Sequence, residues 1–367
     1  MGVVKPKTAA DVAEALASSS SSFEIVGSGS KRGLGHTVAA EHVLDLSALS
    51  RIVTYEPEEL IIEAEPGVLL ADVVALLESK NQMLAFEPPR SGTLGGLLNC
   101  NLSGSRRLTA GAARDHVLGI HAVDGRGVAF KAGGRVVKNV TGYDMPKLIA
   151  GSHGTLAAVT SLVFKVLPKP ETEETLVVAA NDTRSALETM TTAMGSAYAV
   201  SCAAYAPGRG VLLRVEGIAP SVTYRRDQLS KLLDRHVDVL NGQTSSGIWH
   251  DFGNLNSLHG FAIIWRVSLP PTCMPTFIDR LSDTADFTYV ADWAGGLVWI
   301  GTQDAALQVR SKLEAGHATL YKAPSAMRKM VPVFQPQDSA LRALSERVKD
   351  AFDPAHRLNP GRMYGGL

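Results

Sequence analysis

Residues 87–119 read EPPRSGTLGGLLNCNLSGSRRLTAGAARDHVLG. Gly92, Gly95, Gly96, Gly104 and Gly111 recur at short, uneven spacing, among the hydroxyl residues Ser91, Thr93, Ser103 and Ser105. Glycine lets the backbone approach another group closely and adopt positive φ. Successive exposed N–H groups in such a segment form an anion-binding nest. Two readings follow: a loop wrapped around a phosphate-bearing cofactor, or a tight connection that binds nothing. The stretch ends in an apolar strand from Val117.

Outward on the N-terminal side, Leu69, Leu70, Val73, Val74, Leu76 and Leu77 fall at helical spacing, predicting a helix over 69–80. Before it come the strands 42–46, 52–55 and 60–64. Earlier still, Thr8 and Asp11 have the spacing of a capping box that opens a helix to about Ala17. The strand 23–26 then runs into Gly27-Ser-Gly-Ser-Lys-Arg-Gly33. A dinucleotide fingerprint requires GxGxxG opening a helix, but here the third glycine falls one residue late and β-rich sequence follows. With no GK[ST], a P-loop fails too. What remains is either a simple turn or a loop of backbone donors near Lys31 and Arg32 that could hold a pyrophosphate.

On the C-terminal side, 117–123 and 128–131 form a hairpin about Asp124-Gly125-Arg126-Gly127. A second strand is expected over 135–138, a short helix over 146–149, and a long strand over 156–167 after Gly151-Ser-His-Gly154-Thr155. Pro168 and Pro170 mark a boundary. Beyond it, strand–helix–strand–strand–helix–strand recurs, the ferredoxin-like order, with helices expected over 182–194, 223–235, 275–283 and 305–313. A helix over 339–351 follows.

Lys plus Arg equals Asp plus Glu at 36 each, which argues against a nucleic-acid binder with its basic footprint. Cys100, Cys202 and Cys273 lie far apart without CxxC, and the histidines form no HExxH. Metal centres and disulfide frameworks are therefore not expected. No window is long and apolar enough to span a bilayer. A soluble, cytoplasmic protein is expected, docked at most to the inner face of a membrane through a complex.

Three segments taken together resemble one family: Gly27-Ser-Gly-Ser30; Ser91-Gly-Thr-Leu-Gly-Gly96 with Ser103-Gly104 and Gly111; and Gly151-Ser-His-Gly-Thr155 before a strand. Their order is similar to the flavin domain of the vanillyl-alcohol-oxidase, or p-cresol methylhydroxylase (PCMH), type. The tail Phe352-Asp-Pro-Ala-His-Arg-Leu-Asn-Pro-Gly-Arg362 matches FDPxxxLNPG[RK], a mark of its glycolate-oxidase and D-lactate-dehydrogenase branch. EPPRSGTLGG and GGRVVKNVTGYDMPKL most resemble the flavin-binding subunits of bacterial glycolate oxidases.

The resemblance implies an α+β protein. A two-lobed FAD domain would span 1–170, a cap domain built on an antiparallel sheet 171–335, and a helix and tail 336–367 would return to the FAD domain. It implies that Gly27, Ser28, Gly29, Ser30 and Lys31 offer donors to the FAD pyrophosphate. Pro89, Ser91, Gly92, Thr93, Leu94, Gly95, Gly96, Asn99, Ser103 and Gly104 would line the flavin and ribityl side. Gly111 and Asp115 would close the loop, and Gly154, Thr155 and Val159 would meet the adenine half. Asn359 and Arg362 would return towards the isoalloxazine ring. Members with a covalent flavin often carry histidine in the first glycine loop; here Ser30 and Lys31 stand there, so noncovalent FAD is expected.

Oxidising a 2-hydroxy acid needs a hydride acceptor, a base and a cationic clamp for the carboxylate. Clamp candidates are Arg90, Arg107, Arg266, Arg328 and Arg362, with Tyr143, Lys138 and Tyr321 as further candidates near the ring. The GDGNxH cluster of catalytic relatives is missing. The resemblance therefore implies an FAD-binding subunit of a glycolate oxidase complex, passing electrons through a catalytic flavoprotein subunit and an iron–sulfur subunit. The alternatives are a self-sufficient 2-hydroxy acid dehydrogenase of the D-lactate type and a non-enzymatic scaffold that retains the fold.

Overall fold

The computed structural model describes residues 2–135, 142–283 and 286–366. The chain divides into two compact units. The first takes Met1–Ser103, Gly111–Lys169 and Val331–Leu367; the second takes Gly104–Ala110 and Pro170–Met330.

The first unit begins with a local device. Thr8 Oγ1 accepts from the Asp11 N–H at 3.1 Å, and Asp11 Oδ2 accepts from the Thr8 N–H at 3.0 Å. This reciprocal cap starts the helix Ala9–Ala17, whose Val12 and Leu16 lie on one face and are fully buried. Burying each contributes about 1.5–3 kcal/mol. They pack with Phe23, Leu44 and Leu358. The small sheet of this unit is parallel, with His42–Asp45 between Gly2–Val4 and Phe23–Val26.

A larger antiparallel sheet runs Ile52–Glu56, Ile61–Ala64, Ala157–Lys165, Val117–Asp124, Ala129–Gly133 in spatial order. Asp124 closes its hairpin by accepting from the N–H groups of Arg126 and Val128. The helix Leu70–Glu78 buries Leu70, Val73 and Leu77 in the core of this unit. The expected strand over 135–138 falls largely on residues 136–141, outside the described residues.

Residues 94–99, expected as loop, are helical. Thr93 caps this helix, its Oγ1 accepting from the Gly96 N–H at 3.3 Å. Leu94, Leu97 and Leu98 are fully buried. Tertiary burial outweighs the poor helix propensity of Gly95 and Gly96.

The C-terminal helix Ser339–Phe352 leads into a tail anchored to the first unit by several of its polar side chains. Lys349 Nζ donates to Asp353 Oδ2 at 2.7 Å, to the Thr155 carbonyl at 2.7 Å and to the Leu358 carbonyl at 3.1 Å. Arg357 donates to the carbonyls of Leu16, Ser19 and Gly125.

The second unit is built on one eight-stranded antiparallel sheet. Val237–Asn241, Thr172–Val178, Gly210–Gly217 and Cys202–Ala206 form its first half. Thr288–Asp292, Leu297–Thr302, Ile263–Ser268 and His317–Lys322 form its second. Each half has the ferredoxin-like strand order, and the halves join edge to edge through Tyr205 and Ala291. Two corrections apply. The helix expected over 305–313 is only a 3-10 turn, Arg310–Lys312, and a helix absent from the sequence reading, Gly242–Gly253, packs Ile248, Trp249 and Phe252 on the sheet.

The segment Gly104–Ala110 groups with this sheet. Ser105 Oγ donates to Asp292 Oδ2 at 2.6 Å, and buried Arg106 pairs with Glu216 at 2.6 Å. The first bond gives the buried Ser105 hydroxyl its partner, and the second gives the buried Arg106 guanidinium a counter-charge.

Candidate functional site

The first unit contains a groove. Most of its wall comes from four stretches distant in sequence, 25–34, 93–100, 153–159 and 359–362, with Leu46 and Pro66 completing it. Three close approaches weld them together. A Cβ on Gly27 would lie 2.5 Å from Thr93 Oγ1. Gly92, at φ +96°, brings the second stretch against the first, since a Cβ there would lie 2.5 Å from Ser30 Oγ. Gly154, at φ +71°, does the same for the third and fourth, where a Cβ would lie 2.6 Å from Asn359 Nδ2. At each of these points any larger residue must displace a neighbour.

After the strand Phe23–Val26 the chain turns tightly, with the Arg32 N–H donating to the Gly29 carbonyl at 3.1 Å. Among the described residues, the N–H groups of 28–31 find no protein acceptor. Lys31 Nζ donates to the Ser91 carbonyl at 3.2 Å. Burial lowers the Lys31 pKa from its ordinary value, opposed by Cys100. Consecutive unpaired donors beside a lysine make an anion nest, the donor set a pyrophosphate requires. The glycine-lined walls leave room for a flat, elongated group, so the residues present fit FAD.

Two positions of the tail, Asn359 and Arg362, act as braces. Asn359, with φ +43°, accepts from the Ile25 N–H at 2.7 Å through Oδ1 and donates to the His153 carbonyl at 2.7 Å through Nδ2. Arg362 donates to the carbonyls of Arg32, Leu34 and His36 and to Glu24 Oε1 at 3.0 Å. Glu24 also accepts from Arg32 at 2.9 Å.

Of the expected FAD residues, Gly27, Ser28, Gly29, Ser30, Lys31, Thr93, Gly95, Gly96, Asn99, Gly154, Val159, Asn359 and Arg362 line the groove. Others support it from behind. Ser91 supplies the carbonyl for Lys31, and Gly92 backs the first loop. Pro89 and Ser103 are half-buried outside the lining. Corrections apply to the remainder. Leu94 is fully buried core. Thr155 is buried, its Oγ1 donating to the Ser152 carbonyl at 2.7 Å and its own carbonyl accepting from Lys349. Asp115 accepts from the Ala112 N–H at 2.9 Å, and Gly111 makes room for that carboxylate. Gly104 lies in the second unit, where its carbonyl accepts from Trp293 Nε1 at 3.1 Å.

Cys100 and His153 also line the groove and were not expected. Their signal was indirect: once 94–99 is a helix, Gly96, Asn99 and Cys100 share a face. Burial pushes the Cys100 thiol up to about 11, against the lowering effects of Lys31 and Arg362. Burial, then the Arg362 charge, lowers His153 to about 4. Cys100 Sγ and His153 Nδ1 stand 3.8 Å apart as neutral thiol and neutral imidazole, without an activated thiolate.

The catalytic candidates do not gather here. Tyr143 is 91% exposed. Lys138 lies outside the described residues. Tyr321 belongs to the second unit, its ring edge-on to Trp299 at 4.8 Å. As a carboxylate clamp Arg362 is corrected: its guanidinium is bound to the first loop and faces Glu24. Arg90 pairs with Glu78 at 2.9 Å, and Arg328 donates to the carbonyls of Ala323 and Tyr321.

Residues 1–133 match the FAD binding domain family. Over 351 residues the chain is 32% identical to the glycolate oxidase subunit GlcE of Escherichia coli (strain K12), covering 94% of this chain and 93% of that protein. Over 150 residues it is 35% identical to the glycolate oxidase subunit GlcD of Bacillus subtilis (strain 168), covering 40% of this chain and 32% of that one. Among solved structures, p-cresol methylhydroxylase with substrate bound superposes with a TM-score of 0.75 at 16% identity, over 98% of this chain and 88% of that one. That likeness establishes the fold, an α+β flavoprotein architecture of the PCMH type.

Proposed function

We propose a function for a chain that belongs to the FAD-dependent oxidoreductase family of the glycolate oxidase subunits: it is the FAD-binding subunit of a complex that oxidises glycolate or a similar small 2-hydroxy acid. The observation that carries this reading is the groove, where four separated segments converge around an anion nest at Ser28–Lys31. When bound, FAD supplies the acceptor for the hydride removed from the hydroxyl-bearing carbon. The residues of this chain bind and orient. The Ser28–Lys31 turn and Lys31 hold the pyrophosphate, and Gly95, Gly96 and Asn99 present a flat wall to the ribityl and flavin side. Asn359 keeps the first and third segments in register. Serine and lysine in the first loop, and a neutral Cys100 thiol, support noncovalent attachment.

The relatives GlcE and GlcD are named as subunits, which implies partner subunits. A catalytic flavoprotein subunit and an iron–sulfur subunit are the partners proposed here, the second because electrons must leave a chain whose three cysteines lie far apart in sequence. Among the described residues no helix is long and apolar enough to cross a membrane. Docking to the cytoplasmic face would therefore run through the complex. The subunit reading is favoured over a self-sufficient dehydrogenase because the sequence lacks the GDGNxH cluster of catalytic relatives.

Purified protein should carry about one equivalent of FAD, released by acid. Anaerobic glycolate should bleach the flavin rapidly only with the partner subunits present. Rapid bleaching of the isolated chain would overturn the subunit reading, and protein that binds no FAD would overturn the flavoprotein reading.

A further inference from the structure

The five-stranded sheet of the first unit buries one face and leaves part of the other open. Ile62, Ala64, Ile120, Ala122, Leu162 and Phe164 point into the core. Alternation along a strand sends Glu63, Gly119, His121, Ser161 and Val163 to the opposite face. Strand register sets these in two rows. Glu63, Val163, Gly119 and Gly133 are successive partners across four strands, and Ser161, His121 and Lys131 across three. Two glycines face each other in the first row, so no side chain extends beyond Val163 and a trough results.

The chain closes over this trough. Gly133, at φ +69°, turns the backbone, and the Gly134 N–H donates to the Leu118 carbonyl at 3.1 Å. Gly134 comes so near that a Cβ on Gly119 would stand 2.7 Å from its nitrogen. The Arg135 side chain then reaches past two intervening strands and donates to Glu63 Oε2 at 2.8 Å and to Thr54 Oγ1 at 2.9 Å. The cavity that remains has Gly119 and Val163 in its floor, with Glu63, His121, Lys131 and Arg135 around it. It shares no lining residue with the FAD groove. The ladder between Val117–Asp124 and Ala157–Lys165 slips twice beside it, with Leu118 extra on one strand and Thr160 extra on the other. Bulges of this kind re-aim side chains and are over-represented next to active sites.

The four charged groups differ in their commitments. The Arg135 fork is occupied, with Nε and Nη2 on Glu63 and Nη1 on Glu56 at 3.3 Å. Glu63 also accepts from Ser161 Oγ at 2.9 Å. Burial would raise the Glu63 pKa, but the hydrogen bonds from Arg135 and Ser161 outweigh it and hold the carboxyl below its ordinary value. Glu63 and Arg135 therefore neutralise one another. Among the described residues, Lys131 and His121 make no hydrogen bond or ion pair. A carboxylate is matched by a planar guanidinium fork, and the fork here is taken. A tetrahedral phosphoryl group suits a rotatable ammonium with an imidazole beside it. A carboxylate offers about four lone-pair sites, of which Glu63 gives three to Ser161 and Arg135, so one is left for a ligand hydroxyl.

We propose that this cavity binds a small hydroxyl-bearing phosphate monoester. Lys131 and His121 hold the phosphoryl oxygens, and Glu63 accepts from a hydroxyl of the ester.

The test is isothermal titration calorimetry on the full chain saturated with FAD, which keeps the nest at Ser28–Lys31 filled. The titrants are glycerol 3-phosphate, inorganic phosphate and glycerol. The ester should bind saturably, inorganic phosphate more weakly, and glycerol not at all. Lys131→Gln and His121→Gln should each weaken ester binding by about tenfold, and Lys131→Arg should keep most of it. Lys80→Gln removes the same charge from an exposed lysine elsewhere in the first unit and should bind like wild type. No saturable binding of the ester by wild type, unaltered binding in both cavity variants, or equal losses in Lys80→Gln and Lys131→Gln would overturn the site. Tighter binding of inorganic phosphate than of the ester would overturn the choice of an ester. Binding to anionic phospholipid vesicles without binding of the soluble ester would overturn it in favour of a membrane headgroup. Failure of FAD to load would count against the groove and leave the Lys131 comparison intact.

Discussion

Replacing Asn359 probes the convergence of the groove walls most directly. The side chain is buried, and it satisfies the Ile25 N–H and the His153 carbonyl, each at 2.7 Å. Asn359→Ala orphans both groups, at about 1–3 kcal/mol each. It also removes the side-chain hydrogen bonding that lets asparagine occupy φ +43°, where an ordinary L-residue costs about 1–2 kcal/mol. The terms overlap, because the freed segments relax together, so a net loss of about 3–5 kcal/mol is expected. Asn359→Gly loses the same two bonds but not the backbone strain. Its greater freedom in the unfolded chain returns part of that advantage, leaving glycine better than alanine by about 0.5–1 kcal/mol. The assay is a urea titration of FAD-loaded protein, following flavin release and far-ultraviolet circular dichroism. The ordering wild type, glycine, alanine is the signature of a left-handed brace. An alanine variant within about 0.5 kcal/mol of wild type, or a glycine variant less stable than alanine, would refute this account of the tail.

His153 should make stability pH-dependent. Its pKa in the fold is depressed to about 4 from 6.5. The unfolded chain therefore takes up a proton that the folded chain refuses, so the contribution is complete above pH 6.5 and lost as pH falls towards 4, by about 2 kcal/mol after allowance for a half-buried ring. Asn tolerates the φ of +52° at this position, so His153→Asn should flatten the stability profile over that window; an unchanged slope would contradict the assignment. Gly27→Ala should weaken FAD retention by about tenfold or more, because its Cβ would meet Thr93 Oγ1 at 2.5 Å. Combining it with Thr93→Ala should recover part of the loss, and two purely additive defects would show that the contact is not the cause.

Local chemistry made much of this protein legible. The Thr8–Asp11 box, the Asp124-Gly-Arg-Gly turn and the alternation of the 117–123 strand act over a few residues, so sequence spacing alone determined them. The twice-repeated strand order likewise pointed to one antiparallel sheet, because each ferredoxin-like half closes on its own neighbours, even though the helix expected over 305–313 shrank to a 3-10 turn. The glycine segments marked where the groove would form. Tertiary structure alone decided what those segments do. A helix formed at Leu94–Asn99 despite two glycines, because burying three leucines outweighs propensity. Gly104–Ala110 joined the second unit through Asp292 and Glu216, partners more than a hundred residues away. Asn359 and Arg362, expected beside a ring, became braces because the groups they satisfy, at Glu24, Ile25 and Leu34, come within reach only after the chain has folded. The reach of Arg135 to Glu63 and Thr54 arises in the same way, since no periodicity records which strands a side chain will cross.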